Sequence, residues 1–221
     1  MPCIPPASNY DGMPSRCVLP AGTELYRVHR QNRAGVEFSP VVARMLYGGG
    51  RFDPVSEDKY PYLYAAFSAR TALAEVLLRS LPFNDRGTRL LPRAAVKERR
   101  LSSVTLTTEM TLLALTTSTE LAAIGQDEWL VQADPSAYPQ TRDWARWLRH
   151  QAPWAQGLVW LSKRDVGEKA VILFGDRCQP GDLRPGDQPP VDLDDDLGHK
   201  WLNEILAGYR VTLRPPVSRT N

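Results

Sequence analysis

GGGRFDPVSEDKYPYLYAAFSARTALAEVLLRS, residues 48–80, joins a glycine turn, a strand and a helix in one continuous segment. The glycines before Arg51 permit a tight turn, because they tolerate backbone conformations that other residues avoid. The aromatic residues of the segment 62–67 predict a β-strand. Ser68 can cap a helix that continues to about Leu81, since serine accepts hydrogen bonds from the free amides at a helix start.

The predicted helix carries a single acid, Glu75, on an otherwise apolar surface. Thr71, Glu75 and Arg79 form a narrow polar stripe, because residues four apart lie on one helix face. One interpretation is an exposed stripe with a Glu75–Arg79 ion pair. The other is that the stripe faces a cleft, where the one acid of a mostly buried helix would serve a function.

Two arginines are candidates for binding phosphate, because a guanidinium matches phosphate oxygens with paired hydrogen bonds. Arg27 lies in the strand-like segment ELYRV, residues 24–28, either as the solvent-facing member of an alternating pattern or as a phosphate clamp. Arg51 is either incidental to its turn or pairs with an anion that the backbone at Gly50 approaches. The three glycines match neither the Walker nor the Rossmann spacing.

Aromatic and serine side chains complete the set of candidates. Tyr62 and Tyr64 share one strand face, where they either belong to the core or stack on a flat ring such as nicotinamide or adenine. Ser162 ends the predicted strand GLVWLS without a Gly-x-Ser-x-Gly motif, so a hydrolase nucleophile is not indicated. Its position is consistent with hydrogen bonding in a site and equally with a turn-capping role.

The order of short strands and helices, without a repeat, favours an α+β fold with mixed small sheets and flanking helices. We expect a loose leader over residues 1–21, a compact domain over residues 22–178, and a Pro- and Asp-rich segment with a terminal helix over residues 179–221.

Individual elements are predicted from caps and periodicity. A helix is expected to begin at Ser39-Pro40 and end at Gly48, and Thr141 is expected to cap a later helix. Residues 82–100 have the composition of a polar connection. Further strands are expected over residues 101–107, 111–116, 157–162 and 169–174, and short helices over residues 118–124 and 197–207.

The composition argues against several classes of function. The 27 basic and 25 acidic residues nearly balance, which argues against a nucleic-acid-binding surface. The three cysteines and three histidines are too dispersed to indicate a disulfide framework or a metal site. No apolar run is long enough for a membrane span or a secretory signal, so we expect a cytoplasmic protein.

Four segments, in this order and spacing, resemble the RES-domain family: LYRVHR, GGGRFDP, YLYAAFSARTALAEVLL, and GLVWLSKR followed by AVILF. That family is named for an Arg, a Glu and a Ser, which match Arg27, Glu75 and Ser162. The resemblance implies a fold similar to that of ADP-ribosyltransferase toxins and a catalytic domain over residues 22–178.

The resemblance also implies a toxin of a type II toxin–antitoxin pair that depletes NAD+ by phosphorolysis or hydrolysis of the nicotinamide–ribose bond. NAD+ would be its substrate, with no separate cofactor and no metal, and its partner an antitoxin with an Xre-like helix-turn-helix domain. Transfer of ADP-ribose to a protein and a catalytically silent partner-binding domain stay open as alternatives. The implied catalytic residues are Glu75, Arg27 and Ser162, and those implied to bind NAD+ are Arg51, Tyr64, Phe52 and Gly50.

Overall fold

The computed structural model describes residue 6, residues 9–43 and residues 49–215. The helices are α1 (Ala69–Leu77), α2 (Ser118–Ala122), α3 (Trp129–Gln132), α4 (Tyr138–Gln151) and α5 (Asp196–Ile205). The strands are β1 (Arg16–Leu19), β2 (Glu24–Arg30), β3 (Tyr62–Ala66), β4 (Arg89–Leu91), β5 (Arg99–Leu106), β6 (Met110–Leu115), β7 (Gly157–Leu161), β8 (Lys169–Phe174), β9 (Leu183–Pro185), β10 (Val191–Asp192) and β11 (Val211–Leu213).

Nine of the strands in the described ranges form one mixed sheet, in the order β1-β6-β7-β8-β3-β2-β5-β10, with β9 also paired to β5. Strands β6 and β7 are parallel, and the other neighbours in this sheet are antiparallel. Strands β4 and β11 form a separate parallel ribbon. The predicted α+β class is confirmed, and most strands join one large sheet because β3 links its two halves.

Strands β2 and β3 separate in the middle of the sheet. Their register contains the pair Tyr26–Ala66, whereas β3 pairs with β8 along its full length. Ser39 exchanges two backbone hydrogen bonds with Tyr62, at 2.7 and 2.9 Å, so Ser39, at the end of the segment 35–39, lies beside the free edge of β3. The backbone N–H and C=O of Tyr62, which the separation leaves without a partner in β2, thereby find one.

Helices α1 and α4 bury apolar sides against this sheet. Leu73 and Leu77 of α1 pack in a cluster with Leu202 of α5. Trp144 of α4 packs in a second cluster with Trp160 of β7. The glycine turn, β3 and α1 therefore lie where these two parts of the core meet.

The helix expected from Ser39-Pro40 to Gly48 is not formed over residues 39–43. Ser39 has an extended bridge with Tyr62, and this tertiary pairing overrides the local Ser-Pro signal for a helix start. The remainder of that prediction, residues 44–48, lies outside the described residues.

The expected cap of α4 is also wrong, because the helix begins before Thr141. The Thr141 hydroxyl is buried and donates to the carbonyl oxygen of Arg51 at 2.6 Å. Thr141 therefore links α4 to the glycine turn and does not cap the helix.

Two segments expected to be irregular contain strands. Residues 82–100 include β4, and the segment 179–196, which was expected to follow the compact core, includes β9 and β10. Both of these later strands pair with β5, and Leu193 is completely buried. Pro185 is tolerated because an edge strand has backbone groups that need no partner. The domain boundaries at residues 21 and 178 stay a prediction.

We predict that Ser68→Ala lowers the free energy of unfolding by about 1 kcal/mol, because the Ser68 hydroxyl caps α1 by accepting from the Thr71 amide at 3.0 Å. Urea denaturation of both proteins measures the difference. The matched control is Ser118→Ala, at an exposed serine inside the first turn of α2, whose cap is Thr117. Equal midpoints for the two variants would show that the Ser68 cap contributes nothing.

Candidate active site

The Ser162 hydroxyl and the Glu75 carboxylate form the centre of the site. Ser162 follows β7 and is buried, and its Oγ lies 2.5 Å from Glu75 Oε1. The same oxygen accepts from the backbone amides of Arg164 at 3.1 Å and Asp165 at 2.9 Å. A serine hydroxyl has two lone pairs and one proton, so the amides use the lone pairs and the proton points to Glu75. Glu75 Oε1 is thus the acceptor of this hydrogen bond.

A second hydrogen-bond chain holds residues 162–165, here called the serine turn, against α1. Thr71 is completely buried and its hydroxyl donates to Asp165 Oδ2 at 2.7 Å. Ser68 Oγ lies 2.7 Å from the same Thr71 hydroxyl. The first turn of α1 therefore positions the turn that carries Ser162. Helical spacing predicts that Thr71 lies on the polar stripe, but no local pattern predicts Asp165 as its partner.

The interpretation of the stripe as an exposed ion pair is wrong. Thr71 is buried, and the Arg79 guanidinium donates to the carbonyl oxygen of Gly49 at 2.7 Å. Glu75 is half-buried and forms its hydrogen bond with Ser162. The stripe thus faces the serine turn and the glycine turn.

Arg51 lies beside this pair with a partly unsatisfied side chain. It is buried, with its guanidinium 5.7 Å from the Tyr138 ring and one Nη 3.4 Å from the carbonyl oxygen of Ala133. Burial lowers the pKa of Arg51, and interactions with Tyr138 and Glu75 offset part of this change. Its Nε has no hydrogen-bond partner among the described residues. A buried unpaired N–H is unfavourable, so this group requires an acceptor, which water or a ligand can supply.

Arg27 is buried as well, so its interpretation as a solvent-facing residue is wrong. One Nη donates to the carbonyl oxygens of Gly35 at 2.8 Å and Glu37 at 2.7 Å, which holds the segment that borders β3. Burial lowers the pKa of Arg27 to about 10. Within the described part of the chain, its Nε lacks a partner and no hydrogen bond joins it to Glu75.

The glycine turn uses its own polar groups internally. The Gly50 amide donates to Asp53 Oδ2 at 2.7 Å, so this carboxylate is the anion that the turn already holds. The Phe52 amide donates to the Tyr64 hydroxyl at 2.9 Å. A Cβ on Gly50 would lie 2.6 Å from both the Tyr64 hydroxyl and Asp53 Oδ1, which explains the glycine.

The two predicted stacking rings have different environments. Phe52 is completely buried and packs edge to face on Trp160 with centroids 5.2 Å apart, as a core residue does. Tyr64 is half-buried between Tyr62, at 5.5 Å, and Trp160, at 6.2 Å. Burial raises the pKa of Tyr64 well above its ordinary value, so its hydroxyl stays protonated.

The sequence model of the RES domain family matches residues 24–194 of this chain. The chain belongs to the RES domain family. The matched range includes Arg27, Glu75 and Ser162, which we matched above to the Arg, Glu and Ser in the family name. It also extends through β9 and β10, in agreement with their place in the sheet.

The RES domain fold is also found in a solved structure. A chain of the crystal structure of the M. tuberculosis MbcT–MbcA toxin–antitoxin complex is similar to this chain with a TM-score of 0.55 and 22% sequence identity. The alignment covers 83% of this chain and 90% of that chain. At this identity the likeness concerns the fold. No curated protein sequence matches the chain.

None of the helices in the described residues of this RES domain has the length and apolar character needed to cross a membrane. The His, Cys, Asp and Glu side chains of the same described residues form no group of three or more that could hold a metal ion.

We predict that Gly50→Ala lowers the free energy of unfolding by about 1–3 kcal/mol, because the new methyl group overpacks the space between Asp53 and Tyr64. Thermal or urea unfolding measures the loss, and near-ultraviolet circular dichroism reports the displaced tyrosine. Gly208→Ala is the matched control, since a Cβ there meets no atom within 4 Å. Unchanged stability of Gly50→Ala would show that the turn adapts freely.

Proposed function

We propose that this RES domain is a toxin that depletes NAD+ by cleaving the bond between nicotinamide and ribose. The observation that carries the proposal is the Glu75 carboxylate, oriented by Ser162 and neighbouring the buried guanidinium of Arg51. An oriented carboxylate beside an unsatisfied guanidinium suits a substrate that combines a cationic leaving group with phosphates. NAD+ has both.

In this reaction the carbon–nitrogen bond breaks and its electron pair leaves with nicotinamide, which becomes neutral. The ribose carbon develops positive charge in an oxocarbenium-like transition state, as in glycoside cleavage. Glu75 would stabilise this charge, because a preorganised carboxylate in a partly dry site interacts strongly with a developing cation. Ser162 would fix the direction of the carboxylate by its short hydrogen bond.

The arginines and the tyrosine would bind the rest of the substrate. Arg51 and Arg27 each retain a buried Nε without a partner in the described residues, and these donors suit the oxygens of a pyrophosphate. Tyr64 would stack on nicotinamide with the exposed part of its ring. Phe52 and Gly50, which we expected to bind NAD+, would act through the turn, because the Phe52 ring and the Gly50 amide have internal partners.

The acceptor of the ribose carbon is either phosphate or water in this proposal. Mass spectrometry of NAD+ incubated with the pure protein, with and without phosphate, separates the outcomes. ADP-ribose-1″-phosphate identifies a phosphorylase, and free ADP-ribose a glycohydrolase. ADP-ribose attached to a protein identifies a transferase, and intact NAD+ supports the catalytically silent alternative.

The proposed partner is an antitoxin with an Xre-like helix-turn-helix domain. Membership of the RES domain family and the fold shared with a chain of a toxin–antitoxin complex support this proposal. An NAD+-depleting toxin acts on the NAD+ pool of the cell, so the cytoplasm is its proposed location.

We predict that Glu75→Gln lowers the rate of NAD+ loss by about 100-fold or more, because the amide keeps the shape but loses the charge that stabilises the transition state. The amide oxygen of the substituted side chain still accepts from Ser162, so the fold is retained. NAD+ loss and circular dichroism are measured together. Glu109→Gln removes one exposed carboxylate as a control. Wild-type activity in Glu75→Gln would refute this mechanism.

We predict that Arg27→Lys raises KM for NAD+ by about 10-fold or more, because lysine cannot form the paired hydrogen bonds of a guanidinium. Initial rates over a range of NAD+ concentrations separate KM from kcat. The control is Arg30→Lys, at the exposed end of the same strand. If KM is unchanged while the melting temperature falls, Arg27 serves only to hold the segment 35–37.

A further inference from the structure

A cavity of about 360 Å³ lies between the residues that follow α1 and the residues that follow Ser162. Lys163 and Arg164 directly follow Ser162, and Leu78 lies three residues after Glu75 in the chain. The described residues that line the cavity are Leu78, Ser80, Leu81, Pro82, Arg89, Lys163 and Arg164. No carboxylate is among these lining residues.

The lining of the cavity has an excess of positive charge. Lys163 pairs with Asp134 at 2.7 Å, but within the described ranges neither Arg89 nor Arg164 forms an ion pair. The Arg89 guanidinium lies 3.9 Å from the centre of the Phe83 ring, and its buried Nε has no hydrogen-bond partner among described residues. Two cations without counterions at one cavity favour an anionic occupant.

The two-stranded ribbon of β4 and β11 holds Arg89 at this cavity. Strand β4 carries Arg89 and pairs in parallel with β11, in the register Val211–Arg89. The Arg89 amide donates to the carbonyl oxygen of Arg210 at 2.8 Å. Arg89 is thus placed by a regular backbone contact, which makes its position suited to recognition.

We propose that this cavity binds a phosphate group, either of free inorganic phosphate or of the nucleotide substrate. Two guanidinium groups provide the forked donors that phosphate oxygens accept, and they do so more specifically than one lysine would. Leu78, Leu81 and Pro82 make part of the lining apolar, and the volume exceeds that of phosphate alone. The substrate site would therefore extend past Ser162 to residues 82–89. That the anion is phosphate rests on the proposed function, in which NAD+ is the substrate and phosphate or water the acceptor.

The test is direct titration calorimetry at constant ionic strength with inorganic phosphate, with ADP and with acetate, each without NAD+. We expect Arg89→Ala and Arg164→Ala to weaken binding of phosphate or ADP by about 10-fold or more, since each removes charge-assisted hydrogen bonds. Arg86→Ala is the matched control, because Arg86 is an exposed arginine of the same segment that does not line the cavity. Arg164→Ala leaves β4 intact and so guards against a folding defect of Arg89→Ala.

Weakened binding of inorganic phosphate in both variants identifies free phosphate as the occupant. Weakened binding of ADP alone identifies a phosphate of the nucleotide. The proposal is overturned if wild type binds neither anion, if both variants bind as Arg86→Ala does, or if acetate binds as tightly as phosphate. The proposed function fails separately, by absence of NAD+ loss in wild type, because the titrations involve no reaction.

Discussion

The hydrogen bond from the Ser162 hydroxyl to the Glu75 carboxylate is the interaction on which the site depends. It joins the end of β7 to the middle of α1, two elements far apart in the sequence. Two backbone amides occupy the lone pairs of the same hydroxyl, so its proton has one direction. The Glu75 side chain is thereby oriented by a neutral donor, which suits its proposed role in stabilising a cationic transition state.

The second property of the site is that two of its arginines are buried and form no ion pair with a carboxylate among the described residues. Desolvation lowers the pKa of Arg27 and of Arg51, and each keeps an Nε that lacks a partner in the described residues. Such groups are unfavourable for stability, and functional sites are where proteins retain them. Arg89 and Arg164 extend this cationic character beyond Ser162. An anionic substrate would relieve the unfavourable energy at each of these places.

The architecture explains how one chain collects these groups. Strand β3 pairs fully with β8 but separates from β2 after one pair, and Ser39, at the end of the segment 35–39, borders the opening. Arg27 holds that segment by two carbonyl oxygens, so it has a structural role in addition to the proposed one. The ribbon of β4 and β11 positions Arg89. Strand β11, the last strand of the described chain, thereby supports the proposed phosphate cavity.

The sequence by itself determined the α+β class, the positions of β3 and α1, the RES-domain resemblance and the single acid on α1. These follow from local periodicity, from the Ser68 cap and from motifs that are contiguous in the chain. The tertiary structure alone decided that Glu75 binds Ser162 and not Arg79, that Phe52 is a core ring, and that Ser39 is extended. It also decided that Asp165 supports the serine turn and that residues 183–192 join the sheet. The physical reason is that burial and hydrogen-bond partners are set by contacts between distant segments, which override local helix, cap and charge patterns.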